Sequence, residues 1–237
     1  MALRGAPDYE AERAEMVERQ LRRRGIQDER VLEAMGRMPR ELFVPEAVRR
    51  RAYDDSALPI GREQTISQPW VVAAICQALE LGGDERMLEI GTGSGYSAAV
   101  LSLLAGSVVS VERIPELVAE ARLALAEFGA ENVELVEGDG TRGHEPSAPY
   151  DAIAVHAAGP EAPRSLLDQL ADGGRLVMPV ATGPAAPQRR RRLPRSVGTD
   201  MLTVFHRVGP GEWSQGTIGP CRFVPLIGAE GFEPRNS

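Results

Sequence analysis

Five short apolar runs alternate with helix-forming stretches between residues 70 and 180, and no other feature restricts this chain as much. Arg86–Ile90, Ser107–Val111, Val133–Val136, Asp151–Val155 and Gly174–Val180 have the length and the apolar content of buried strands. The stretches between them read as helices: Tyr96–Ala105, Pro115–Phe128 closed by Gly129, and Arg164–Ala171. A further helix, Trp70–Leu81, precedes the first strand and carries Val72, Ile75 and Leu79 on one face. Strands separated by helices pair in parallel, because the chain must cross over between them, and the crossover helices then cover both faces. The pattern predicts an α/β fold built on a doubly wound, mostly parallel sheet.

The flanks read differently. From Glu10 to Arg24 the spacing of Val17 and Leu21 suggests a helix lying on a surface, stopped by Gly25. Asp28 is a good N-cap for a second helix with Val31, Leu32, Met35 and Met38 on one face. Tyr53–Gly61 reads as a loop. At the other end Met201–Arg207, Trp213–Ile218 and Phe223–Ile227 are strand-like, with the turn Gly209-Pro210-Gly211 between the first two. Strands without intervening helices add antiparallel pairs at a sheet edge. One domain is expected over residues 1–237. It comprises N-terminal helices and a loop (1–68), the α/β core (69–182), an Arg/Pro-rich loop (183–198) and C-terminal strands (199–237). The run Arg189–Arg192, set among Pro184, Pro187 and Pro194, reads as a solvated loop. A polyanion-binding role is the alternative, although no aromatic is interleaved for base stacking.

Charge and composition exclude several classes. Lys and Arg number 27 against 34 Asp and Glu, a net charge of −7, which argues against a nucleic-acid-coating protein. The longest apolar runs fall short of a membrane span, and MALRGAPDYEAERAE carries no hydrophobic signal core. Cys76 and Cys221 make neither a disulfide framework nor a metal cluster, and His144, His156 and His206 are too scattered for a metal site. A cytoplasmic protein without metal, membrane or nucleic-acid partner is expected.

The chemistry concentrates where strands hand over to helices. Glu89-Ile90-Gly91-Thr92-Gly93-Ser94-Gly95-Tyr96 follows the first strand. Its glycines allow a sharp turn, a close ligand and helix N–H groups aimed at an anion. A dinucleotide site wants G-x-G-x-x-G, but Tyr96 holds the sixth place. The G-x-G-x-G spacing suits the smaller carboxylate of S-adenosylmethionine, and equally a tight turn that serves packing alone. Glu112 ends the second strand 21 residues after Gly91, where a carboxylate can take ribose hydroxyls. Asp139 lies between Gly138 and Gly140 just past the third strand. Three such features at the carboxyl ends of successive strands mark the ligand edge of an open α/β sheet. Upstream, in Gln64-Thr65-Ile66-Ser67-Gln68-Pro69, Ser67 is placed to cap the next helix, and a helix start is also a seat for a substrate carboxylate. It lacks the G-x-S-x-G elbow of a hydrolase, and no histidine is spaced to pair with it.

Taken together, these residues resemble the protein-L-isoaspartate O-methyltransferase family, class I S-adenosylmethionine-dependent enzymes with a Rossmann-like sheet. The resemblance runs through RGIQDERVLEAMGRMPRELFVPE, AYDDSALPIG, QTISQP, MLEIGTGSGYSAAVL, NVELVEGDGTRG, APYDAIAV, LLDQLADGGRLVMPV and RFVPLIG. It implies methyl transfer to the free carboxylate of isoaspartyl residues in damaged proteins or peptides, an ester that closes to a succinimide, and repair by cycling. It implies Ser67 as the active-site serine. S-adenosylmethionine would sit among Glu89, Gly91, Thr92, Gly93, Gly95, Glu112, Asp139 and Gly140. Thr65, Ile66, Phe223 and Val224 would meet the peptide, and the enzyme would act as a monomer. The chain departs from the family pattern at Glu63, Trp70, His144 and His156, places that bear on peptide selectivity. Two other readings share these residues: a tailoring enzyme that methylates Asp or isoaspartate in one precursor peptide, and a non-catalytic cofactor-binding module. A nicotinamide-dependent dehydrogenase is disfavoured by Tyr96.

Overall fold

In the computed structural model, which describes residues 7–182 and 200–234, the alternation becomes a seven-stranded sheet with helices on both faces. The expected loop around Arg189–Arg192 lies outside the described residues. Helix α1 (Tyr9–Glu15) starts at Asp8, whose side chain accepts from the Ala11 N–H at 3.0 Å. It runs into a π-helical segment, Met16–Leu21, and a 3₁₀ turn, Arg22–Arg24, before Gly25 ends it in the left-handed region at φ 94°. The stretch is therefore not a surface helix throughout. The wider π-turn brings residues five apart onto one face, and Met16 and Leu21 are both fully buried. Helix α2 (Glu29–Arg37) is capped by Asp28, which accepts from Arg30 N and Val31 N at 2.9 and 3.3 Å.

Where a loop was expected, β1 (Leu58–Gly61) pairs antiparallel with β2 (Gln64–Ile66). Leu58 and Ile60 alternate inward along β1, and Arg62 and Glu63 make the turn at φ 50° and 57°. Next come α3 (Pro69–Leu79), β3 (Arg86–Ile90), α4 (Tyr96–Ser102), β4 (Ser107–Glu112), α5 (Pro115–Phe128), β5 (Val133–Glu137), β6 (Tyr150–Val155), α6 (Arg164–Asp168), β7 (Leu170–Ala181), β8 (Asp200–Gly209) and β9 (Glu212–Cys221). The sheet order is β5-β4-β3-β6-β7-β8-β9, parallel from β5 to β7 and antiparallel for the last two pairs. Successive strands lie to one side of β3 and then, from β6 onward, to the other. That reversal opens a crevice above the carboxyl ends of β3, β4 and β6, where the strand connections diverge.

Residues alternate between two apolar layers. Met87 and Ala154 face a core shared with α2, α3 and the buried π-turn, whereas Leu88, Ile90, Ile153 and Val155 face Leu166 and Leu226. Several expected elements are shorter: α4 ends at Ser102 instead of Ala105 and α3 at Leu79 instead of Leu81. Helix α6 stops at Asp168, because the Tyr150 N–H takes the Gln169 carbonyl at 2.9 Å and draws Leu170 into the sheet. Phe223–Ile227 is not a continuous strand. Its Phe223 N–H goes to the Asp200 carboxylate at 3.0 Å, and Pro225 has no N–H to give. The Val224 carbonyl and the Leu226 N–H pair with Ala158, each at 2.8 Å, and the Leu226 carbonyl takes the Phe232 N–H at 2.7 Å.

Candidate active site

The crevice holds a cavity of about 420 Å³. Its floor is the turn after β3. The Gly91 N–H extends the sheet to the Val111 carbonyl at 2.9 Å, and the chain then leaves through Thr92, Gly93 and Ser94, which line the space. Gly95 has φ 89°, and a Cβ there would stand 3.3 Å from both the Ala121 Cβ and the Leu125 Cγ. It serves the packing of α4 on α5 and is not part of the cavity wall. Gly140 is on the wall, and a Cβ there would come within 2.4 Å of Ile90 Cγ2.

Glu112 closes one side. Its Oε2 accepts from Gly93 N at 3.0 Å and its Oε1 from Arg113 N and Ile114 N at 2.8 and 3.0 Å. Three donors fix the carboxylate, which has about four lone-pair sites and so keeps one unoccupied by these bonds, and the residue lines the cavity. Ile90, Val111 and Ile114 supply an apolar flank beside it. The cavity is also lined by Thr65, Ile66 and Ser67, at the exit of β2, and by Val224 and Leu226 from the C-terminal segment.

Ser67 does not cap α3. Gln68 occupies the cap position with Pro69 behind it, and no side-chain bond is made there. The Ser67 carbonyl accepts from Arg40 Nη2 at 2.7 Å, while its hydroxyl bonds to none of the described residues. Arg40 is fully buried, and its Nε also donates to the Ala52 carbonyl at 2.7 Å beneath the Tyr96 ring, 4.6 Å away. Burial pushes this guanidinium down from its ordinary value, with Tyr96 acting in the opposite direction. Among the described residues no carboxylate pairs with it. Nothing in the polar stretch around Arg40 announces this role, since a lone arginine between prolines carries no periodic signal.

Two further expected residues stand behind the wall. Glu89 is fully buried; its Oε2 accepts from the Ser110 hydroxyl, which lies 2.5 Å from the Thr92 hydroxyl. Asp139 tethers the C-terminal segment at Ala229. Its Oδ1 accepts from Thr141 N and Thr141 Oγ1 at 3.0 and 2.7 Å, and its Oδ2 from the Ala229 N–H at 2.8 Å. Phe223 lines a neighbouring groove of about 240 Å³, together with Arg24, Gln68, Trp70 and Arg222. The groove also reaches Cys221, whose thiol burial pushes up to about 12, so it stays protonated and unreactive at neutral pH. Among the described residues no His/Cys/Asp/Glu group is arranged to hold a metal ion.

The tether has a pH signature. Burial alone would raise the Asp139 carboxyl, but the Ala229 N–H and the Thr141 hydroxyl and N–H outweigh it and hold the group below the usual aspartate range. A carboxyl depressed in the folded state contributes stability above its unfolded pKa and loses it as pH falls through the folded value. Amide exchange at Ala229 is therefore expected to speed up in acid relative to that of the β3 amides. Asp139→Asn should show the faster exchange already at neutral pH; protection unchanged in both cases would contradict the tether.

The match to known proteins follows this layout. A model of the protein-L-isoaspartate(D-aspartate) O-methyltransferase family matches residues 11–231. The chain belongs to that family. The protein-L-isoaspartate O-methyltransferase 1 of Rhodopseudomonas palustris is 51% identical, over 97% of this chain and 91% of that protein. The protein-L-isoaspartate O-methyltransferase of Methanoculleus marisnigri is 52% identical over 94% of each. A solved protein-L-isoaspartate O-methyltransferase superposes with a TM-score of 0.76 at 29% identity, covering 92% of this chain and 67% of that one. A Plasmodium falciparum structure in complex with S-adenosyl-L-homocysteine, 22% identical, shares the fold with a TM-score of 0.70 over 94% of this chain and 99% of that one. The seven-stranded sheet with its antiparallel β8 and β9 is thus the class I methyltransferase fold carried by protein-L-isoaspartate O-methyltransferases.

Proposed function

We propose that the chain transfers a methyl group from S-adenosylmethionine to the free carboxylate of L-isoaspartyl residues in proteins or peptides, starting their repair through a succinimide. One observation carries this reading. Ser67, whose hydroxyl bonds to none of the described residues, lines both the cavity and the groove, so that a donor in one would meet an acceptor in the other beside it.

The cavity fits the cofactor. Its volume lies within the ~300–1,000 Å³ of ordinary ligand sites, and the Gly91–Gly93 backbone leaves close approach open. Glu112 keeps an acceptor site for ribose hydroxyls beside the apolar flank that an adenine needs. Gly140 and Thr92 complete the surround, while Glu89, Gly95 and Asp139 act from behind it, on the turn, on the α4–α5 packing and on the C-terminal segment. When bound, S-adenosylmethionine supplies an electrophilic methyl: the new C–O bond forms as the C–S electron pair returns to sulfur. The acceptor carboxyl, with an ordinary pKa of about 3.5–4, is already ionised at neutral pH, so the protein need not remove a proton. Its work is positional. Ser67 donates to one carboxylate oxygen and leaves the other free to attack, Thr65, Ile66, Val224 and Phe223 hold the peptide, and the C-terminal wall excludes water. Orientation of this kind supplies about 7–11 kcal/mol in favourable cases.

The test is a tritiated methyl-transfer assay on an isoaspartyl peptide and its normal aspartyl twin. Base-labile ester on the first alone supports the proposal; none on either, or equal amounts on both, overturns it. Glu112→Ala is expected to weaken S-adenosylmethionine binding at least about tenfold, as loss of a hydrogen bond from a charged group does. Calorimetric titration checks this, and unchanged affinity would remove Glu112 from the cofactor site. The same reading keeps the chain a single-domain, cytoplasmic monomer without nucleic-acid partners. In support, the net charge is −7, no described helix is long and apolar enough to cross a membrane, and one core joins the N-terminal helices to the sheet.

A further inference from the structure

His156 stands directly after β6, where its N–H continues the sheet to the Ile90 carbonyl at 2.8 Å. That register puts the side chain beside Gly91, at the floor of the cavity. The side chain is 5% exposed, and its Nε2 lies 3.3 Å from Oε1 of Glu89, which has no exposure at all. The two atoms are close enough for an ion pair but lack hydrogen-bond alignment. Nδ1, Nε2 and that Oε1 are all buried without a hydrogen-bond partner. A buried imidazole with both nitrogens unengaged is costly unless a ligand engages it.

The position shows which ligand. Thr65, Ser67, His156 and Val224 are common to the walls of the cavity and the groove. Of these, Thr65, Ser67 and His156 have side chains able to form hydrogen bonds, and His156 is the most deeply set. We infer that His156 is a further substrate-contacting residue, its Nδ1–H holding the isoaspartyl carboxylate from the side opposite Ser67. This rests on the function proposed above.

The chemistry of the ring supports the assignment. Nε2 is the nitrogen nearer the protein, 3.3 Å from Glu89 Oε1, which leaves Nδ1 as the nitrogen with no group of the described residues beside it to bond. As a donor, Nδ1–H would meet a carboxylate brought to the junction, since none of the described residues takes that hydrogen bond. Two donors, Ser67 Oγ and His156 Nδ1, then fix the plane of the carboxylate, and one lone pair remains free to meet the methyl. Glu89, buried behind the ring, is a positioning residue for it.

The amide variants separate the two nitrogens. The Asn side-chain NH₂ falls near the place of Nδ1, and that of Gln near Nε2. His156→Ala and His156→Gln are expected to raise KM for an isoaspartyl peptide by about tenfold or more, as loss of a hydrogen bond to a charged group does. His156→Asn should stay within about threefold of wild type, and the Kd for S-adenosylmethionine should hold within about twofold in all three. A peptide KM unchanged in His156→Ala, Asn no better than Ala, or cofactor affinity falling in parallel with peptide affinity would each overturn the inference. Titration of the same peptide into the S-adenosylhomocysteine complex tests the contact without turnover. If wild type forms no ester, the proposed reaction fails. Binding about tenfold weaker in His156→Ala than in wild type would still support the contact, and equal or absent binding would end it.

Discussion

Ser67→Ala is expected to lower kcat for an isoaspartyl peptide about 10- to 100-fold while leaving the Kd for S-adenosylmethionine within about twofold. The magnitude is that of one hydrogen bond to a charged group, about 1.5–3 kcal/mol, at about 1.4 kcal/mol per tenfold in rate. The split between kcat and cofactor affinity follows from the geometry. The Ser67 hydroxyl makes no bond to any described residue, so removing it leaves no native partner unsatisfied. Its carbonyl, which holds the loop, is untouched by the substitution. Steady-state kinetics on the peptide, with calorimetry on the cofactor, check the outcome. Parallel loss of cofactor binding and rate would show that Ser67 supports the cofactor cavity instead of the acceptor.

Arg40→Ala should give the largest loss of stability. The side chain is fully buried, and its removal strands the Ala52 and Ser67 carbonyls and opens a cavity under Tyr96. Large-to-small core changes and unsatisfied carbonyls together cost about 3–5 kcal/mol, a fall in Tm of about 6–20 °C for a domain of this size. Arg40→Lys should recover only part of this, because a single ammonium cannot span two carbonyls as the guanidinium fork does. Arg40→Met separates volume from hydrogen bonding. It should regain some Tm, yet kcat should stay low, because the Ser67 loop loses its anchor. Thermal melts followed by kinetics well below Tm test this, and a Tm within about 2 °C of wild type in Arg40→Ala would rule out the anchor.

The core was legible because parallel strands buried on both faces are written as local apolar runs, and helix ends as local caps. Arg86–Ile90 and Pro115–Phe128 coincide with β3 and α5, and Asp28 caps α2 as its spacing predicts. The turn Gly91–Gly95 was placed correctly for the same reason, although the division of labour within it was not. Gly93 lines the cavity, while Gly95 has turned toward Ala121 and Leu125 on another helix. The π-turn escaped because its phase is set by what Met16 and Leu21 pack against, not by their spacing alone. The hairpin β1–β2 escaped because its alternation is only two apolar residues long.

The sequence by itself determined the strands and helices of the α/β core and the turns at the carboxyl ends of β3 and β4, since each depends on residues a few places apart. Only the tertiary structure decided what the candidate site residues touch. It gave the Asp139 carboxylate to Ala229, 90 residues away, seated Ser67 on a guanidinium 27 residues upstream, and set His156 against Glu89 across neighbouring strands. A hydrogen bond selects its partner by distance and direction in space, and separation along the chain carries no record of either.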